Sequence, residues 1–115
     1  MKQALIDGGD QFLANNFELT FMYRHDSSVV DRAHEFPTAL LAAADKAGNP
    51  AAIDAMTASC DAWFYNNQLG IPTVVYGAGT LKVAHSKDEQ IGMNEIADAA
   101  TTLVTFLTDY CGVRT

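Results

Sequence analysis

The sequence predicts an α/β protein of one domain's size, and three observations carry that expectation. Phe17, Leu19, Phe21 and Tyr23 alternate with Glu18 and Thr20, the period-two pattern of a half-buried strand. Residues 71–76, Ile-Pro-Thr-Val-Val-Tyr, form an almost continuous apolar and β-branched run between glycines, as in a parallel strand covered on both faces. Ile96, Ala99, Ala100, Leu103, Phe106, Leu107 and Tyr110 recur at steps of three and four, which marks an amphipathic helix.

In chain order, residues 2–15 carry a weak helical pattern through Ala4, Leu5, Phe12 and Leu13. Gly8 and Gly9 interrupt it at a cost of about 1 kcal/mol each relative to alanine, so a helix here needs tertiary support. Asn15-Asn16 reads as a turn before the strand at 17–23. Residues 24–35 are polar and charged, punctuated by Ser27-Ser28, and read as a connection. Pro37 suits the first turn of a helix, where its missing N–H has no partner to lose. Leu40, Leu41 and Ala44 continue that helix until Gly48-Asn49-Pro50 stops it. A short strand is expected over 51–58 and a short helix over 61–69, with Trp63 and Phe64 as core and rim, ended by Gly70. Pro72 is tolerated near the start of a strand, where no ladder donor is required. The last helix is expected to start with Asn94 as its cap and Glu95 in its first turn, and to end at Gly112.

The chain has 115 residues with 14 acidic and 7 basic side chains, a net charge of −7. Nucleic acid and anionic membrane surfaces are therefore disfavoured as partners, since both select clustered Lys and Arg. No apolar run approaches the length of a membrane span, and the first ten residues lack the apolar core of a secretory signal. A cytoplasmic chain is the expectation. Cys60 and Cys111 are far apart in sequence and sit among apolar neighbours, where thiols pack as small, reduced hydrophobes.

Chemistry in an α/β layer sits where strands end. The segment directly after 71–76 holds Gly77 and Gly79, which permit close approach of a ligand, then His85, a candidate ligand or catalytic imidazole. Asp88 and Glu89 follow at three and four residues, placed to orient that imidazole or to solvate a loop. The adjacent pairs His25-Asp26 and His34-Glu35 do not face one way on regular elements. Asp61, at a helix start, reads first as an N-terminal cap. No H-E-x-x-H, phosphate-binding loop or Ser-His-Asp arrangement is visible.

Ala58-Ser59-Cys60-Asp61-Ala62-Trp63, then Gly70-Ile71-Pro72-Thr73-Val74-Val75-Tyr76-Gly77-Ala78-Gly79, then Ala84-His85-Ser86-Lys87-Asp88-Glu89 together resemble the C-terminal end of the M20 metallohydrolases. These are the acetylornithine deacetylase, succinyl-diaminopimelate desuccinylase, aminoacylase and carboxypeptidase relatives. The family pattern is a small residue followed by Asp-Ala, a G-I-P-T-V strand, a G-x-G loop, A-H-[ST]-x-D-E and a closing helix, and all five parts occur here in order over residues 50–112.

The resemblance implies a partial three-layer sheet-and-helix catalytic domain over 25–115, preceded by the last helix and strand of an inserted lid domain over 1–24. It implies that His85 ligates one of two catalytic zinc ions and that Gly77 and Gly79 line the substrate pocket. Asp61 matches a recurrent aspartate with no assigned role, and with Asp88 and Glu89 it is a candidate to support the ligand from behind. The complete enzymes of the family hydrolyse the amide bond of an N-acyl amino acid or dipeptide. Their H-x-D segment, bridging aspartate, Glu-Glu pair and lid histidine do not occur in these 115 residues, so this chain alone is expected to be inactive and to hold no stoichiometric zinc. Its expected partner is the missing N-terminal part of the catalytic domain. The alternative is a non-catalytic module for self-association that keeps family residues by descent.

Overall fold

A computed structural model describes residues 2–9, 12, 16–18, 20–22 and 25–112. Its regular elements are α1 (Lys2–Asp7), α2 (Glu35–Lys46), one π-helical turn (Phe64–Gln68) and α3 (Met93–Cys111). The helix expected over 2–15 is cut where the sequence is weakest. After α1 the chain turns at Gly9, whose φ of 82° suits a residue without Cβ and whose N–H donates to Ile6 O. Asn15 of the expected turn lies outside the described residues.

Both ends of α2 are held by side chains. His34 is its N-cap, and the imidazole Nδ1 accepts the Phe36 N–H at 3.1 Å. The Thr38 hydroxyl donates back to His34 O at 2.7 Å, and Pro37 is buried in the first turn, as expected. Gly48, with φ 78°, ends the helix. The Asn49 N–H then satisfies Ala44 O, and its side chain donates to Asp98 O at 2.9 Å and Thr102 Oγ1 at 3.3 Å on α3. His34 and Glu35 have separate duties, because Glu35 accepts the Tyr110 hydroxyl at 3.2 Å.

Helix α3 packs on α2 and the two make the core. Ala43, Ala44, Thr102 and Phe106 are buried. Phe36, Phe106 and Tyr110 form an aromatic cluster with centroids 5.1 to 5.8 Å apart, two pairs edge-to-face and one stacked. Lys46 bridges to Asp109 at 2.8 Å on the rim, a solvated pair that contributes little. The cap of α3 is Gly92, two residues before the expected Asn94. Gly92 has the extended φ and ψ a cap requires, and the Glu95 carboxylate reaches back to its N–H at 2.9 Å, whereas Asn94 is already helical. The far end is Gly112, as expected.

The strands are the main correction. Among the described residues none of the three expected segments is a strand, so the α/β sheet is not formed. A strand exists only beside a neighbour that pairs its backbone. Residues 71–76 have no such neighbour among the described residues, and Ile71 and Val75 are 51% and 57% exposed where the pattern calls for burial. Residues 51–58 likewise pair with no strand among the described residues. Of 17–23, Phe21 and Met22 are exposed, while Leu19 and Tyr23 lie outside the described residues. Nothing in the structure marks 1–24 as the end of a lid domain.

The accessible surface of 9287 Å² is therefore about half as large again as the ~6,100 Å² of a self-contained globule of this mass. The radius of gyration is 20.6 Å against about 13 Å for such a globule. Among the described residues no helix is long and apolar enough to cross a membrane.

Candidate functional site

The Asp61 carbonyl opens the expected helix, accepting the Phe64 N–H at 3.0 Å. Its carboxylate is exposed and caps nothing among the described residues. The helix expected over 61–69 widens into the π-turn Phe64–Gln68, which carries Asn66. The Asn66 amide does for residues 71–76 what a neighbouring strand would do. Its Oδ1 accepts the Thr73 N–H and its Nδ2 donates to Thr73 O, both at 2.9 Å. The same Nδ2 reaches Ala62 O at 3.0 Å and Ser28 Oγ at 3.3 Å, and Asn67 donates to Ser27 O at 3.0 Å. The pair thus ties the 25–30 connection and the extended segment to one turn. Sequence reasoning missed both; their signal was two poor helix formers side by side inside a helical stretch.

The extended segment leads into the loop that holds the candidate residues. Gly79 has φ 84°, and a Cβ there would meet Ile91 Cδ1 at 3.4 Å. A Cβ at Gly77 would meet open space, so packing does not demand glycine there. The loop then winds through tight turns: Thr80 Oγ1 accepts the Lys82 N–H, Ser86 Oγ donates to Val83 O at 2.7 Å and accepts the Asp88 N–H, and the Ser86 N–H reaches Val83 O.

At the centre of these turns His85 is exposed with φ 60°, the single non-glycine residue at positive φ among those described. That left-handed conformation costs a side chain about 1 kcal/mol or more and persists only where the surroundings hold it. Glu89 does the holding. Its Oε2 accepts the His85 backbone N–H at 3.2 Å, so the carboxylate fixes the main chain and leaves the imidazole directed by the turn. Asp88 meets Ser86 through its own backbone N–H.

Among the described residues no three His, Cys, Asp or Glu side chains gather closely enough to hold a metal ion. One exposed imidazole does not hold a resident zinc, which needs at least three protein ligands. The donors among the described residues therefore do not fit a metal centre by themselves.

A cavity of about 780 Å³ lies between the 25–32 connection, the start of α2 and the extended stretches 51–60 and 73–76. Its wall includes Trp63, Cys60, Met56 and Tyr76. The Trp63 indole N–H is buried there without an acceptor among the described residues, and the His25 ring meets its edge at 5.8 Å. The two cysteines are free thiols; Cys60 is half-buried, but Cys111 is exposed, because it falls on the side of α3 turned away from α2. The Tyr110 phenol has a displaced titration. Partial desolvation, then its hydrogen bond to and repulsion by the Glu35 carboxylate, hold it above its ordinary 10.0.

The family model of peptidase family M20/M25/M40 matches residues 5–109. The chain is 40% identical over 43 residues to an uncharacterized metallohydrolase of Methanocaldococcus jannaschii, a stretch covering 37% of this chain and 12% of that protein. It is 38% identical over 47 residues, 41% of this chain and 11% of the other, to the N-formyl-4-amino-5-aminomethyl-2-methylpyrimidine deformylase of Halalkalibacterium halodurans. The matched stretches thus span about an eighth and a ninth of these relatives' lengths. No solved structure matches.

Proposed function

The chain belongs to peptidase family M20/M25/M40, and from that premise we propose that it supplies the C-terminal part of the catalytic domain of a zinc-dependent enzyme that hydrolyses the amide bond of an N-acyl amino acid or dipeptide. Residues 25–115 are that part, and residues 1–24 are the end of an inserted lid. His85 is the ligand this chain contributes, Gly77 and Gly79 border the substrate, and Asp61, Asp88 and Glu89 support from behind. The observation that carries the reading is the position of His85. It is exposed on the loop that follows 71–76 and strained at φ 60°, inside a family match that runs over 5–109. Strain of this kind concentrates at functional sites. The deformylase relative cleaves, by its name, a formyl group from an amine, which is amide hydrolysis of the same class.

Within this chain the residues position and do not react. Glu89 fixes the backbone of His85, and Asn66 sets the extended segment that leads into the loop. The general base and the remaining metal ligands come from a polypeptide bearing an H-x-D segment and a Glu-Glu pair. The test is turnover of an N-acyl amino acid, with zinc present, by the 115-residue chain alone and mixed with such a polypeptide. Hydrolysis only in the mixture, abolished by His85→Ala, is the expected result. Turnover by the chain alone overturns the reading, and so does activity of the mixture that His85→Ala leaves intact.

A further inference from the structure

The loop that presents His85 is built around its neighbour, because Ser86 engages every polar atom it has. The Ser86 N–H and hydroxyl both donate to Val83 O, at 3.2 and 2.7 Å. The same Oγ accepts the Asp88 N–H at 3.2 Å, and the Ser86 carbonyl accepts the Glu89 N–H at 3.2 Å. Two of these bonds reach back past His85 and two reach forward past Lys87. His85 is held from both sides.

These bonds also decide what Glu89 can do. Its Oε2 accepts the His85 N–H at 3.2 Å from four residues further along the chain. Such a reach requires the backbone to turn back over residues 86–88, and the bonds from Asp88 and Glu89 to Ser86 make that turn. Glu89 locks a turn that Ser86 forms.

We propose that Ser86 is the positioning residue for His85: its hydroxyl, bridging Val83 O and the Asp88 N–H, sets the left-handed backbone of His85 and with it the direction of the imidazole. Its functional meaning rests on the proposed role of His85; its geometry does not.

Three observations support this assignment. The first is strain. His85 has φ 60°, a conformation that only a few per cent of non-glycine residues adopt and that persists only where the surroundings over-determine it. Without the bridge, the strained conformer becomes the minor one. The second is self-containment. Among the described residues, the hydrogen bonds of 81–89 stay within 80–89: Lys82 N–H to Thr80 Oγ1, Ala84 N–H to Leu81 O, and those of Ser86 and Glu89. Residues 71–76 take no part, so the brace stands without a sheet. The third is solvent access. Ser86 is exposed, so loss of its hydroxyl strands no fully buried polar group and water takes over its partners. The hydroxyl supplies conformation and not burial.

The experiment is NMR on the full chain. The intraresidue Overhauser effect between the Hα and amide protons is strong at positive φ and weak at negative φ. It is expected to be strong at His85. Ser86→Ala is expected to weaken it to the level of ordinary loop residues, and to speed exchange of the His85 amide about 10-fold as Glu89 loses its hold. Ser86→Thr keeps a hydroxyl on the same carbon and is expected to restore both. The Ala44 and Phe106 amides are expected to keep their exchange rates in both variants, which separates a local change from loss of the fold. A weak effect in the unsubstituted chain overturns the proposal, and so does a strong one that survives Ser86→Ala. A loss that Ser86→Thr does not restore, or that comes with faster exchange at Ala44 and Phe106, overturns it as well.

In the mixture that tests the proposed function, Ser86→Ala is expected to lower kcat about 10-fold with KM little changed, again restored by Ser86→Thr, because a misdirected group costs the chemical step more than binding. Unchanged kcat alongside a lost Overhauser effect overturns the positioning role. If no mixture hydrolyses the substrate, the functional reading fails, and the Overhauser effect at His85 still decides what Ser86 does.

Discussion

Asn66 substitutes for an absent strand, and its removal gives the sharpest local prediction. Its side chain makes three hydrogen bonds of 2.9 to 3.0 Å, two to the Thr73 backbone and one to Ala62 O. Each such bond contributes about 1 kcal/mol net. Asn66 and Thr73 are both half-buried, so water partly replaces the lost partners and the local cost of Asn66→Ala comes to about 2 kcal/mol. That raises the opening equilibrium of the segment about 30-fold. Amide hydrogen exchange is the assay, since it reads segments separately. The Thr73 amide is expected to exchange about 30-fold faster, while the α2 and α3 amides at Ala44 and Phe106 keep their rates. Asn66→Asp retains the acceptor for Thr73 N–H but turns a carboxylate toward two carbonyl oxygens, and is expected to rescue nothing. Unchanged exchange at Thr73 refutes the reasoning. Equal acceleration throughout α2 and α3 refutes it too, because the side chain would then support the whole fold rather than one segment.

Two further outcomes follow from the same geometry. His85→Gly removes a side chain from a left-handed backbone and is expected to stabilise the chain in urea denaturation by a few tenths to about 1 kcal/mol; a loss of stability would mean that the imidazole packs to hold the loop. Because the folded state raises the Tyr110 phenol above its ordinary 10.0, the protonated phenol is the form that α2–α3 packing favours. Its contribution is complete below pH 10 and disappears as the pH climbs through the raised value, so the chain is expected to lose stability there. Ultraviolet titration of tyrosinate should show this residue ionising above its ordinary 10.0, and Glu35→Gln should bring it earlier.

Helices α2 and α3 were legible because periodicity marks both, through Leu40, Leu41 and Ala44 and through the run from Ile96 to Tyr110; of that run Phe106 is buried, whereas Ile96, Leu103 and Leu107 stay exposed. Gly9 and Gly112 punctuate the chain where a positive φ is required. The cap of α3 was misplaced because Asn94 is a better cap by residue type, but the decisive group is the Glu95 carboxylate that closes on Gly92. The strand at 71–76 has the composition of a doubly covered strand, yet composition states what the segment needs and not whether a neighbour supplies it. Asn66 was invisible for a related reason, since its partners lie seven residues on and 38 residues back. His85 was singled out through its motif, and nothing in the sequence announced its left-handed backbone. The exposure of Cys111 followed from which side of α3 met α2, which spacing alone leaves open.

The central claim is that this chain brings one ligand position of a metallohydrolase and must borrow the rest. Metal analysis of the purified 115-residue chain after dialysis against excess zinc tests it most directly. Well below one zinc per chain is the predicted result, with weak binding that His85→Ala removes. One tightly held zinc per chain would contradict the account, because the described residues would then have to gather a ligand set that their present arrangement keeps apart.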